Sequence, residues 1–182
     1  MFLVSKAVTK IDVGRQNLST RETWRQETLK KIPAGVWILD AGAGEQKYKI
    51  FCSYLKYVAQ DFGQYDGRGN GQGLHTGQWD QSALDIVSDI TAIPKPDGSF
   101  DAIPCVEVLE HLPNPIAAIK EFQRPLKFGG HLIITAPFCS LTHFATYHFY
   151  TGFNFALQRK NFKFFSEFCV RGIDNWFCRC YL

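Results

Sequence analysis

The residues best placed to do chemistry are Asp40, Gly42, Gly44 and Glu45, gathered directly after an apolar run. The run Val-Trp-Ile-Leu-Asp-Ala at 36–41 predicts a buried strand, and the glycines predict a turn into a helix over 46–55. Such a turn leaves backbone N–H groups unpaired at a helix N-terminus, where an adenosine-bearing ligand docks. Charge narrows the ligand. A glycine at position 47 would let the backbone approach a diphosphate, but Lys47 stands there and Asp40 and Glu45 flank the turn. Two carboxylates repel a diphosphate and suit a ligand that bears an ammonium and a sulfonium.

The elements that must position this turn follow in order. Residues 57–60 read as a second short strand ending at Asp61, 17 residues after Gly44, where a carboxylate can accept ribose hydroxyls. Then come Asp-Ile-Val-Ser-Asp-Ile at 85–90, a strand from 99 running into Glu-Val-Leu-Glu-His at 107–111, and a Gly129-Gly130 turn feeding another buried strand. A leading helix is expected over 19–32, capped by Ser19 or Thr20, with Trp24, Leu29 and Ile32 as a thin apolar stripe lying over the cofactor pocket or over the sheet edge. Another is expected over 115–124, started by Asn114-Pro115 and burying Ile116, Ile119 and Phe122.

This succession resembles the class I S-adenosylmethionine-dependent methyltransferases, specifically the methyltransferase type 11 group, over residues 33–170. The likeness rests on Leu-Asp-Ala-Gly-Ala-Gly at 39–44, Ser-Asp-Ile at 88–90, Glu-Val-Leu-Glu-His at 107–111 and Gly129-Gly130. It implies S-adenosyl-L-methionine as cofactor and methyl transfer as activity. By the same resemblance Asp40, Ala41, Gly42 and Gly44 hold the methionine end, and Asp61 takes the ribose hydroxyls. Asp89 and Ile90 border the adenine, while Cys105, Val106 and Glu107 line the floor beside the methyl group. The turn holding Glu110 and His111 lies beside the cofactor, with His111 either bracing backbone carbonyls or joining the chemistry. Position 46, often glycine in the family, is Gln46 here.

Strands alternating with helices imply parallel pairing with right-handed crossovers. The expected fold is α/β, a doubly wound Rossmann-like mostly parallel sheet with helices on both faces. A chain of 182 residues fits one domain: an N-terminal extension and helix (1–32), a cofactor-binding core (33–140) and a substrate-side segment with a terminal helix and strand (141–182). The net charge of +3 is small and its basic residues are scattered, which gives no support to nucleic-acid partners. No apolar run approaches the length of a membrane span, and the start Met-Phe-Leu-Val-Ser-Lys is too short in apolar residues for a secretory signal, so a cytoplasmic location is expected. The six cysteines have no zinc-site spacing and read as structural thiols, with no metal expected.

Residues 62–82 hold six glycines and almost no aliphatic side chains, which reads as a surface insertion or as a lid that packs Tyr65 or Trp79 near the base. Methyl transfer is an in-line displacement, and a base helps only if the acceptor must lose a proton. Candidates for that role gather after the fifth strand: His143, Tyr147 and His148. A helix is expected near 153–166 and one strand over 168–176, so the C-terminal strand or strands read as shortened or missing. An edge left open in that way invites a homodimer, and a shortened substrate wall puts competence in question. The acceptor is read as a small molecule. Two rivals stand beside this reading: a non-catalytic cofactor-binding scaffold, and an NAD(P)-dependent oxidoreductase, which Lys47 disfavours.

Overall fold

The computed structural model describes residues 17–68, 77–153, 169–170 and 175–181. Helix α1 (Asn17–Leu29) precedes strands β1 (Trp37–Ala41), β2 (Lys56–Asp61), β3 (Ile86–Val87) and β4 (Phe100–Val106). Helix α2 (Pro115–Phe122) leads into β5 (Leu126–Pro137), and the short β6 (Cys169–Val170) and β7 (Asn175–Tyr181) follow. These strands form one seven-stranded sheet in the order β3-β2-β1-β4-β5-β7-β6. The first five neighbours run parallel, whereas β7 lies antiparallel to both β5 and β6.

The period of two along each strand decides which face each helix covers. Leu39 and Ala41 of β1, Ile103 and Cys105 of β4, and Leu132 and Ile134 of β5 point to one face, where Ala118, Ile119 and Phe122 of α2 close the core. Ile38, Ala102 and Ile133 point to the other, under Leu29 of α1 and Ile32 just beyond it. Helices therefore cover both faces. Strand order reverses between β1 and β4, the place where open α/β sheets bind ligands. The ladder there is registered at Ile38↔Ala102 alone, and Pro104 has no N–H with which to extend one.

A polar layer sits under the second face. Asp40 is buried and accepts a hydrogen bond from the Tyr57 hydroxyl. Arg25 of α1 is also buried, ion-paired with Glu22 and stacked 3.4 Å over the Tyr48 ring. Burial pushes the Asp40 carboxyl up from 3.8 to about 6, while Tyr57 and Arg25 pull it back and Asp61 adds to the rise. Burial likewise lifts the Cys52 thiol beside it to about 12.

Several expected elements differ. The helix expected over 46–55 is a run of turns with a single 3₁₀ turn at Lys49–Phe51. Its cause is Gln46, which takes a left-handed φ of 57°, the conformation a glycine would adopt at low cost and one that interrupts a helix. Phe51, Tyr54 and Leu55 still cover the second face, but Ile50 is exposed. Helix α1 includes Ser19 and Thr20 inside it instead of beginning at them. Of the C-terminal strands read as shortened or missing, β7 is present at seven residues and pairs with β5 from His131↔Tyr181 to Pro137↔Asn175, so the edge of β5 is filled; β6, of two residues, is short and lies outermost. The helix expected over 153–166, apart from its first residue, lies outside the described residues, as do 69–76 of the glycine-rich segment. Of the cysteines read as structural thiols, Cys52 and Cys105 are buried and Cys139 is exposed. No helix among the described residues is long and apolar enough to cross a membrane.

Two stability outcomes follow from this packing. Phe122→Ala is expected to cost about 3–5 kcal/mol in urea unfolding, against about 1 kcal/mol for Asn114→Ala, because Phe122 is fully buried and Asn114 accepts one capping bond from the Ala117 amide. Asp40 binds its proton more tightly in the folded chain than in the unfolded one. Its contribution is fully present below pH 3.8 and is lost as pH rises through about 6. The difference in unfolding free energy between wild type and Asp40→Asn should change by about 3 kcal/mol between pH 3.5 and pH 7, since each pH step of one between the unfolded and folded pKa contributes about 1.4 kcal/mol. A pH-independent difference would show that Asp40 titrates normally.

Candidate functional site

The turn after β1 is held by the end of β2. Gly42 and Ala43 both donate backbone N–H to the Gln60 carbonyl at 2.9 Å, and Gly44 donates to Asp61 Oδ2 at 2.9 Å. The expectation of unpaired amides at a helix N-terminus is thus corrected: these three are satisfied within the chain, and no α-helix follows. Gly42 is required twice over. Its φ is +81°, and a Cβ there would fall 2.4 Å from Val108 Cγ2.

A cavity of about 550 Å³ opens beyond the carboxyl ends of β1, β2, β3 and β4, within the size range of small-molecule sites. Of the residues singled out in the sequence, Gly42, Asp61, Asp89, Ile90, Glu107, His111 and Tyr147 line it. Asp40, Ala41, Gly44, Cys105 and Val106 do not. The first two and Cys105 sit in the sheet beneath, and Gly44 lies under the Trp79 ring, 3.1 Å from where its Cβ would be. His143 and His148 stand off the lining but pack on His111, with ring centroids 4.8 Å (His111–His143) and 5.9 Å (His111–His148) apart.

Three carboxylates, Asp61, Asp89 and Glu107, border the cavity, and no Lys or Arg among the described residues does. Asp61 Oδ1 also accepts from the Gly63 amide, and Asp89 Oδ1 from the Thr91 amide and hydroxyl. Glu107 is ion-paired with Arg21, which stands off the lining, so Asp61 and Asp89 carry most of this negative charge; it fits a cationic nucleoside and opposes a diphosphate. Much of the remaining lining is aromatic. Tyr65 meets Trp79, Phe144 and Tyr147 with centroids 5.0, 4.9 and 6.0 Å away, and Phe62 meets Tyr147 edge-on at 5.0 Å.

The 3₁₀ turn Leu109–His111 follows β4 directly. Before it, Glu107 is held at a φ of 53° by its amide bonding to Thr135 and by an ion pair with Arg21 at 2.5 Å. Burial raises the Glu107 carboxyl and Arg21 lowers it. Glu110 is fully buried, and burial with the nearby Glu107 charge lifts it well above its ordinary range. Burial brings His111 down to about 4, helped by the neighbouring histidines, so its ring is neutral at pH 7.

Sequence reasoning missed several lining residues. Gln60, Val108 and Phe144 are silent in sequence because their roles come from tertiary contact. Gln60 Nε2 donates to the Ser88 carbonyl at 2.8 Å, which ties β2 to the loop holding Asp89. Arg21 also gave no signal, lying 86 residues from the Glu107 that it pairs with. Tyr65 and Trp79, suggested for a lid, do line the cavity.

A family model described as a methyltransferase domain matches residues 39–134, just over half of the chain. A ubiquinone biosynthesis O-methyltransferase from Xanthomonas oryzae pv. oryzae is 44% identical over 55 residues, which cover 30% of this chain and 20% of that protein. The protein of the same name from Marinobacter nauticus is 30% identical over 63 residues, 35% of this chain and 26% of that one. The chain therefore matches only a fifth to a quarter of these relatives' length. Among solved structures, the PH0226 protein of Pyrococcus horikoshii OT3 superposes with a TM-score of 0.65 at 15% identity over 93% of each chain. A SAM dependent methyltransferase from Aquifex aeolicus does so at 0.55 and 17% identity, over 85% of this chain and 87% of that one. These two likenesses are of fold. The family match spans the glycine turn, both acidic strand ends and the Glu-Val-Leu-Glu-His turn that together build the cavity, and the chain accordingly belongs to the methyltransferase domain family, with S-adenosyl-L-methionine as its cofactor.

Proposed function

We propose that this domain transfers a methyl group from S-adenosylmethionine to a hydroxyl oxygen of a small planar acceptor. The observation that carries this reading is a cavity bordered by three carboxylates and no Lys or Arg among the described residues, running from the glycine turn to an aromatic and histidine wall. When bound, the cofactor supplies an electrophilic methyl carbon on its sulfonium. Asp61 would accept the ribose hydroxyls, Asp89 and Ile90 would border the adenine, and Gly42 with Glu107 would face the methionine end. Asp40 and Cys105 support this floor from within the sheet. Phe62, Tyr65, Phe144 and Tyr147 offer ring faces and edges that exclude water and orient a flat acceptor in line. His111, whose ring lies 5.1 Å from that of Phe144, and Tyr147 bring polar groups to that wall. The short stretch shared with the ubiquinone biosynthesis O-methyltransferases favours oxygen as the accepting atom.

Calorimetric titration of S-adenosylhomocysteine, with NADH in parallel, tests the cofactor half. Binding of the former alone is expected, and Asp61→Ala should weaken it by about 10- to 100-fold, the worth of one hydrogen bond to a charged group. Gly42→Ala should abolish binding at micromolar protein. Adding Val108→Ala should restore part of it, since space returns while about 1–2 kcal/mol of left-handed strain remains. Labelled cofactor with a panel of phenols, amines and thiols then tests the acceptor half. Label on an oxygen supports the reading; tight cofactor binding with no transfer to any of them favours a scaffold instead.

A further inference from the structure

Behind the cavity wall lies a side-chain cluster that methyl transfer by positioning alone does not use. Glu110 and His111 come from the 3₁₀ turn after β4, and His143 and His148 flank the 3₁₀ turn Ala145–Tyr147 that follows β5. One ligand nitrogen from each histidine lies within 4.8 Å of the other two. Glu110 Oε1 stands 3.8 Å from His111 Nε2 and 3.9 Å from His143 Nε2. These separations are too long for hydrogen bonds, yet close to the roughly 3.4 Å between two nitrogen ligands of one tetrahedral ion with bonds of about 2.0–2.1 Å.

The orientation of the rings is as telling as their distance. His111 Nδ1 lies 3.0 Å from the Tyr147 carbonyl and His143 Nδ1 lies 2.9 Å from the Leu141 carbonyl. Each ring thereby donates its Nδ1–H to the backbone and turns an Nε2 lone pair towards Glu110. Metal-bound histidines are held in this way, the second nitrogen fixing the tautomer and aiming the first. The Glu110 carboxylate is 0% exposed, and neither of its oxygens has a hydrogen-bond partner. His111 Nε2 and both ring nitrogens of His148 are shielded and unpartnered as well. A buried carboxyl without hydrogen-bond partners, beside two imidazoles that carry unpartnered nitrogens, is costly unless a proton or a cation joins the cluster.

We propose that Glu110, His111, His143 and His148 bind one divalent transition-metal ion, zinc or a similar borderline cation, at the wall where His111 meets the cavity. Three imidazoles with one carboxylate suit zinc, cobalt or nickel; magnesium and calcium favour sets made of oxygens. Arg21 does not compete for this place, because its guanidinium is paired with Glu107. The expectation of no metal came from cysteine spacing; His143 and His148 are five residues apart, but His111 and Glu110 lie 32 or more residues before them, and only the fold brings the two groups together.

The test uses the whole chain stripped with a chelator and titrated with cobalt(II), then zinc(II), with magnesium(II) as control. One equivalent of cobalt should bind with visible bands of a nitrogen and oxygen site, and zinc should displace it. His143→Ala and His148→Ala should each weaken the ion by about tenfold or more, while far-UV circular dichroism stays that of the wild type. Glu110→Gln should do the same, and if that variant fails to fold the two histidine variants still decide. Near-ultraviolet bands from cobalt bound to thiolate, binding indifferent to both histidine variants, or no binding at micromolar ion would overturn the proposal. The readout is ion binding, so its failure leaves the methyl-transfer reading where S-adenosylhomocysteine titration puts it.

Discussion

Everything at the cavity depends on how the end of β2 grips the turn that follows β1. The Gln60 carbonyl takes two successive amides and the Asp61 carboxylate takes a third, so the loop conformation is dictated by its neighbouring strand. Parallel pairing of the two strands, in register from Trp37↔Lys56 to Ala41↔Gln60, brings those acceptors level with the turn. Gly42 then lies where Val108 can close over it, which draws the turn after β4 against the same floor. A slip of one residue in the β1–β2 register would move Asp61 to the opposite face of the sheet.

The chain's own sequence made the scaffold legible because its signals are local. An apolar run ending in Asp40 and a glycine pair, an acidic residue after the next strand, and Asn114-Pro115 before an apolar helix all act over a few residues. They located β1, β2, β4, α2 and β5 with small shifts at their ends. The error over 46–55 is instructive. The apolar spacing there suits a helix, but Gln46 sits in a conformation that sequence periodicity does not report.

The cavity itself was half legible. Asp61 could be placed because it sits at a strand end, where topology fixes direction; Asp89, Ile90, Glu107 and His111 came from the family resemblance, and all five line the cavity. Asp40 belongs to the same motif, yet its side chain alternates to the other face, where Tyr57 binds it. The aromatic wall, and the pairing of Arg21 with Glu107, arise between segments far apart in the chain, and nothing short-range encodes them. The same holds for β7. Its seven residues gain their meaning from the exposed partner groups of β5, not from any repeat of their own.

Trp79 rests against both Gly44 and Gly67, and a Cβ at the latter would come within 2.5 Å of the indole. One ring therefore borders two backbone sites 23 positions apart. The ring is the nearest neighbour only at Gly44: at Gly67 a Cβ would first meet the Gly77 carbonyl oxygen at 1.8 Å, so a lineage that shrank the indole would gain room at Gly44 and still be held to glycine at Gly67 by its own backbone.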